Sequence, residues 1–157
     1  MSDKLKNNSG VIELTLPSRL GYEKVAMSAA ANVAKLMGFD EGRVEDLKTA
    51  VAEACINAME HGNKFDEALS VGVTLFMGTD SLEVRVLDRG SGAPVTKTAP
   101  DIDKKMHGDE SPRGMGMFLI QALVDEAEWV SSPLAGSYAR LVIHLDKTLP
   151  DTELDGK

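Results

Sequence analysis

Two pairs of alternating apolar and polar segments, each pair joined by a link too short to cross a sheet, constrain this chain more than any other feature. Leu69–Gly78 places Leu69, Val71, Val73 and Leu75 on one side, and Ser81–Asp88 does the same with Leu82, Val84 and Val86. Such alternation marks a strand with one buried face, and the Gly78-Thr79-Asp80 link predicts a hairpin. Glu126–Ser132 and Ser137–Leu145 repeat the arrangement across Pro133–Gly136. One-sided strands need a second layer to cover them, and helices have to supply it.

The helical signals lie where that layer requires them. After a first alternating segment, Val11–Leu16, the spacing predicts a helix over Arg19–Met37 with Val25, Ala29, Val33 and Leu36 inward, stopped by Gly38. Asp40 is placed to cap a second helix running to about Gly62. A third helix is predicted over Gly116–Val124, through Met117, Ile120, Leu123 and Val124. Residues 90–113 show no periodicity, apart from a short helical turn expected at Asp101–Met106. The order β-α-α-β-β-loop-α-β-β predicts an α+β two-layer sandwich, a mixed sheet covered on one face by helices. One domain is expected over residues 11–146, with polar tails at 1–10 and 147–157.

Composition narrows the function classes. The 157 residues are 43% apolar and 27% charged, which suits a soluble domain with a sizeable core. A single cysteine, Cys55, excludes an intramolecular disulfide and fits a reducing cytoplasm. The formal net charge of −8 opposes nonspecific binding to nucleic acid or anionic lipid. No apolar run approaches the ~20 residues of a membrane helix, and the N-terminus lacks a secretory apolar stretch. Any link to transcription therefore runs through a protein partner.

Three constellations carry possible chemistry. Glu53, Asn57 and His61 follow one another at i, i+4 and i+8 on the second helix. Each step turns only ~40°, so they form a polar stripe flanking the apolar face of Leu47, Ala50, Val51, Ala54 and Ala58. Such a stripe also describes an ordinary solvated helix side, although Asn is a mediocre helix former and asks for a reason mid-helix. Asp88 shares the parity of Leu82, Val84 and Val86 and so points toward the apolar layer. A carboxylate there needs hydrogen-bond donors, from local turn amides or from a ligand amine. Gly90 and Gly92 follow, with the freedom to approach a flat ligand or simply to turn.

Gly114 and Gly116 stand where the long loop enters a helix, and Arg113 precedes them. Helix N-termini attract phosphate, and arginine is a permanently charged, bidentate donor. A structureless stretch as long as 90–113 is unusual in a compact domain unless it serves as a lid. Other candidates do not assemble. Cys55 lies near the core arc and reads as packing, and His61, His107 and His144 are too scattered for a zinc site.

Taken in order, Glu53-x-x-x-Asn57-Ala58-x-x-His61, Asp88-x-Gly90-x-Gly92 and Gly114-x-Gly116 resemble the N box and the two glycine boxes of the GHKL ATPase superfamily. That superfamily includes gyrase, MutL and the histidine kinases, and the small size here is similar to the bacterial anti-sigma-factor serine/threonine kinases of RsbW type. The resemblance covers about residues 11–146. It implies a Bergerat-type ATP-binding fold and an ATP- and Mg²⁺-dependent protein kinase. Asn57 would ligate Mg²⁺, and Glu53 would orient or deprotonate the incoming serine hydroxyl. Asp88 would accept the adenine amine, with Gly90 and Gly92 shaping the base pocket. Gly114 and Gly116 would offer amides to the phosphates, and Arg113 would neutralise the γ-phosphate. His61 differs in role among relatives, and contacts from Lys97, Lys104 or Lys105 stay open.

The implied partners are a sigma factor and a small anti-anti-sigma antagonist phosphorylated in trans, with no direct nucleic-acid or membrane contact. The implied assembly is a cytoplasmic homodimer. The alternative is a nucleotide-gated regulatory binding protein with little or no phosphotransfer. A detached histidine-kinase catalytic domain is a third reading, opposed by the lack of a helical dimerisation segment bearing a phosphoacceptor histidine.

Overall fold

Strands form where alternation places them: β1 (Gly10–Pro17), β2 (Ser70–Met77), β3 (Ser81–Leu87), β4 (Glu126–Ser132) and β5 (Gly136–His144). They come from a computed structural model that describes residues 10–89, 112–132 and 136–145. The expected tails at 1–9 and 146–157, the turn at Asp101–Met106, and Gly90 and Gly92 lie outside the described residues. The strands make one sheet in the order β1-β2-β3-β5-β4.

Every ladder in that sheet is antiparallel, so the mixed sheet expected from the sequence is corrected. The reason lies in the connections. Between β1 and β2 the chain makes two helical passes and returns to the end it left. Between β3 and β4 the connection, which among the described residues includes one helix, leads to a strand running the same way as β3. β5 is inserted between those two strands, and no parallel pair forms.

Among the described residues, three α-helices cover one face: α1 (Glu23–Met37), α2 (Glu41–Asn57) and α3 (Pro112–Leu123). The core joins Leu47, Ala50, Val51 and Ala54 of α2 to Val71, Val73 and Leu75 of β2 and Leu82, Val84 and Val86 of β3. Asp40 caps α2 by accepting from Arg43 N at 2.9 Å. Gly38 ends α1 at φ 103°, a left-handed conformation that favours glycine. The opposite face of the sheet is coated by charge: Arg85 lies over Phe76 and Tyr138, and Arg140 pairs with Glu83, Glu126 and Glu128.

The inward face of α1 differs from expectation. Val25 and Leu36 are exposed, and Leu36 keeps 87% of its surface, whereas Ala26, Ala30, Ala31, Val33 and Ala34 are buried. Ala26, Ala30 and Ala34 repeat every fourth residue and make a flat stripe on which α2 can pack closely. The larger side chains would hold the two helices apart. The third helix also starts four residues before the predicted Gly116, at Pro112, a residue suited to a first helical turn. Gly114 and Gly116 are thus inside α3 instead of at its threshold.

Candidate functional site

The polar stripe begins as the periodicity requires and then changes register. Glu53 and Asn57 sit on the last turns of α2, but Ala58–Gly62 form a π-helical turn. Asn63 N donates to Ala58 O at 2.8 Å, the i→i+5 bond of that geometry. The α-helix expected to reach Gly62 therefore ends at Asn57, and His61 is not the next rung of the stripe. Within this turn Met59 is fully buried, and its carbonyl accepts from Phe65 N at 2.7 Å. His61 faces Glu60, with Nε2 3.8 Å from Oε2. Single π turns within helices commonly mark functional sites.

Gly116 brings α3 against what remains of the stripe. A Cβ built there would overlap Glu53 Oε2 and stand 3.0 Å from Glu53 Cδ and 3.1 Å from Asn57 Nδ2. The missing side chain thus lets the backbone of α3 approach a carboxylate and an amide at once. Asn57 Nδ2 is buried without a hydrogen-bond partner among the described residues. An orphaned amide of this kind is costly unless a ligand engages it. Burial, and then the negative charge of Glu60, push the Glu53 carboxyl above its usual range. That shift makes the carboxylate a stronger base once ionised.

Beside these residues lies a narrow cleft of about 20 Å³, room for little more than one water, lined by Ala54, Asn57, Val86, Asp88, Trp129 and Ser137 among others. Asp88 is 7% exposed, as its parity on β3 predicts. Two glycines make room for it. A Cβ on Gly62 would overlap Asp88 Cγ and Oδ2, and one on Gly136, at φ 87°, would stand 2.7 Å from Asp88 O. The backbone is pinned on both sides: Asp88 N donates to Ser137 O at 3.0 Å, and Arg89 N donates to Asn63 Oδ1 at 2.7 Å. Ser137 Oγ is buried in the cleft without a partner among the described residues.

The structure thus gathers Glu53, Asn57 and Gly116 at one end of the cleft and Asp88 within it. Arg113 and Gly114 fall in the first turn of α3, and the Arg113 side chain, like Gly90 and Gly92, lies outside the described residues. Gly62, Asn63, Trp129, Gly136 and Ser137 are site residues that the sequence reading missed. Ser137 carried the same signal as Asp88, being the polar member of the otherwise apolar series Ala139, Leu141 and Ile143. Asn63 lies between two predicted elements and carries no periodic signal.

Cys55 is fully buried, and burial pushes its thiol up to about 12, which fits packing. Among the described residues, no three His, Cys, Asp or Glu side chains gather as a metal cage. The Asn57 amide oxygen is the group beside the cleft that could share a magnesium ion with a ligand's phosphates. No helix among the described residues is long and apolar enough to cross a membrane.

Comparison with known proteins gives a consistent family. Residues 16–142 match the histidine kinase-like ATPase domain. The serine-protein kinase RsbW of Bacillus subtilis is 32% identical over 126 residues, covering 78% of this chain and 79% of that protein. The protein of the same name from Bacillus pumilus is 34% identical over 130 residues, covering 75% and 76%. A crystal structure of RsbU and RsbW domains from Mycobacterium tuberculosis superposes with a TM-score of 0.62 at 20% identity, a likeness of fold. It covers 87% of this chain, which spans only 32% of that longer one.

Proposed function

We propose, for a chain that belongs to the histidine kinase-like ATPase domain family, that it acts as an anti-sigma serine/threonine kinase. It uses ATP to phosphorylate a small antagonist protein, and it holds a sigma factor when the unphosphorylated antagonist is scarce. The observation that carries this reading is the approach of Gly116 to Glu53 and Asn57 at the mouth of a cleft containing a buried acid. The serine-protein kinases among its relatives support the acceptor chemistry.

Each described residue then has a task. Asp88 takes the 6-amino group of adenine, in a pocket whose walls include Val86 and Trp129. The triphosphate runs past Asn57 toward the first turns of α3, where Gly114, Gly116 and Arg113 belong. Magnesium, bound by the Asn57 amide oxygen and the phosphates, would offset the charge developing on the transferred group. Glu53 accepts the proton of the incoming serine hydroxyl as that oxygen bonds to the γ-phosphorus, and the bond from phosphorus to the β–γ bridging oxygen breaks. Its raised pKa suits it to hold that proton. Gly90 and Gly92 complete the base pocket in this reading, and a cytoplasmic homodimer is its natural setting.

Incubation with labelled Mg·ATP and the cognate antagonist tests the proposal. Label on serine or threonine, stable to acid and lost in alkali, supports it. ATP binding with no transfer to any cognate antagonist would instead make the protein a nucleotide-gated binder, in which Glu53 has no chemical task.

A further inference from the structure

Asn63 is 2% exposed, and every polar group it owns is engaged. Its amide nitrogen donates to Ser70 O at 3.0 Å and to Ser18 Oγ at 3.3 Å, and its Oδ1 accepts from Arg89 N at 2.7 Å. Its backbone N closes the π turn on Ala58, and its backbone O accepts from Asp66 N at 2.9 Å. The amide orientation is fixed by its partners, because Arg89 N needs an acceptor and Ser70 O needs a donor. One side chain thus ties the end of the Glu53–Asn57 helix to three other points: the start of β2, the exit of β1 and the exit of β3.

The exit of β3 is where Asp88 sits. On its other side the strand is held by Ser137 O, which accepts from Asp88 N. Gly62, one residue before Asn63, is the glycine whose lack of a side chain gives the Asp88 carboxylate its room. The backbone of Asp88 is therefore held on both flanks, its own N by β5 and the N of the next peptide by Asn63. Removing the Asn63 clamp would leave Arg89 N without its acceptor and free the Asp88 backbone to shift within a tight pocket.

We propose that Asn63 is a positioning residue for purine recognition: by holding Arg89 N it fixes where the Asp88 carboxylate meets the base. The inference rests on the reading of Asp88 as acceptor of the adenine amine. It predicts that Asn63 governs base discrimination more than affinity for the triphosphate, which binds at the other end of the cleft.

The test measures dissociation constants of the full chain for Mg·ATP and Mg·ITP, the latter carrying a 6-carbonyl where adenine has its amine. The lone Trp129 in the cleft serves as a fluorescence reporter. The wild type should prefer ATP by at least about tenfold, the worth of one charge-assisted hydrogen bond. In Asn63→Ala that preference should fall to within about threefold while ITP affinity stays within about twofold. Asn63→Asp keeps an acceptor for Arg89 N but loses the donor to Ser70 O, so it should melt earlier yet retain most of the preference. That variant also serves if Asn63→Ala does not fold. A merely structural Asn63 would lower melting temperature in both variants and leave the ratio at its wild-type value, which overturns the proposal. Loss of the preference in Asn63→Asp overturns it too. A wild type that binds ATP and ITP equally overturns the Asp88 reading itself, and this inference with it.

Discussion

Replacing Gly116 by alanine separates the fold's interests from those of the site. Gly116 lies inside α3, where alanine is favoured over glycine by about 0.5–1 kcal/mol. On backbone grounds alone, Gly116→Ala should raise stability. The new Cβ, however, would overlap Glu53 Oε2 and stand 3.0 Å from Glu53 Cδ and 3.1 Å from Asn57 Nδ2. Ordinary carbon contacts begin near ~3.5 Å, so the carboxylate has to retreat by roughly 1 Å. Glu53 is a half-buried, flexible side chain, and it can swing away at little cost to the fold. A displacement of about 1 Å at a reacting group costs on the order of 100-fold in rate. The expected variant therefore melts at or slightly above the wild-type temperature, binds nucleotide no better, and loses about 100-fold in phosphotransfer to the antagonist. Scanning fluorimetry and a labelled-phosphate assay read the two quantities. Wild-type turnover would show that Gly116 does not cradle Glu53, and a loss of more than about 2 kcal/mol would show that the clash falls on the core instead.

The remaining predictions concern pH, the acid in the cleft and the thiol. Ionised Glu53 is needed as a base, and its pKa is raised by burial and then by Glu60, so transfer should fall with decreasing pH through a value above the ordinary carboxylate range; Glu60→Gln should move that limb to lower pH. The same shift sets a stability trend. The ionised carboxylate is disfavoured in the folded state, a cost present above the raised pKa and relieved as pH falls through it, so Glu53→Gln should melt higher than wild type near pH 7, with the gap closing in acid. Gly62→Ala places a Cβ 2.6 Å from Asp88 Cβ and over its Cγ, so ATP affinity should drop by about tenfold or more, read by Trp129 fluorescence; unchanged affinity would remove Gly62 from the pocket wall. Cys55, its thiol pushed up to about 12 and fully buried, should resist thiol reagents in the native protein and react at the rate of unfolding, slowed further by Mg·ATP; rapid native labelling would contradict its burial.

The strands and the buried acid were legible because period-2 alternation reports a local property: which side of a strand faces apolar neighbours. Asp88 was found this way, and Ser137 could have been. Strand direction was less legible, because it depends on β5 inserting between β3 and β4, a choice no local pattern encodes. The face of α1 was legible only in part: Val33 is buried and Ala29 packs against the core as expected, whereas close helix packing selects Ala26, Ala30 and Ala34 over Val25 and Leu36. The π turn was hidden for a related reason. Ala58–Gly62 widen into a π turn that buries Met59 in the finished core, and the i+8 spacing of His61 then loses its meaning. Asn63 and Gly62 took their roles from Asp88 and Arg89, distant in sequence, and carried no periodic signal at all.

The most direct measurement of the account's central claim is titration calorimetry of the wild type and of Asp88→Asn with Mg·ATP. The cleft predicts saturable binding of one nucleotide per chain by the wild type. It predicts a loss of roughly 10- to 100-fold in Asp88→Asn, the worth of a charged hydrogen-bond acceptor in a buried site, with melting temperature little changed. Absence of binding heat in the wild type at any workable concentration, or equal affinity in the two proteins, would contradict a purine held by Asp88.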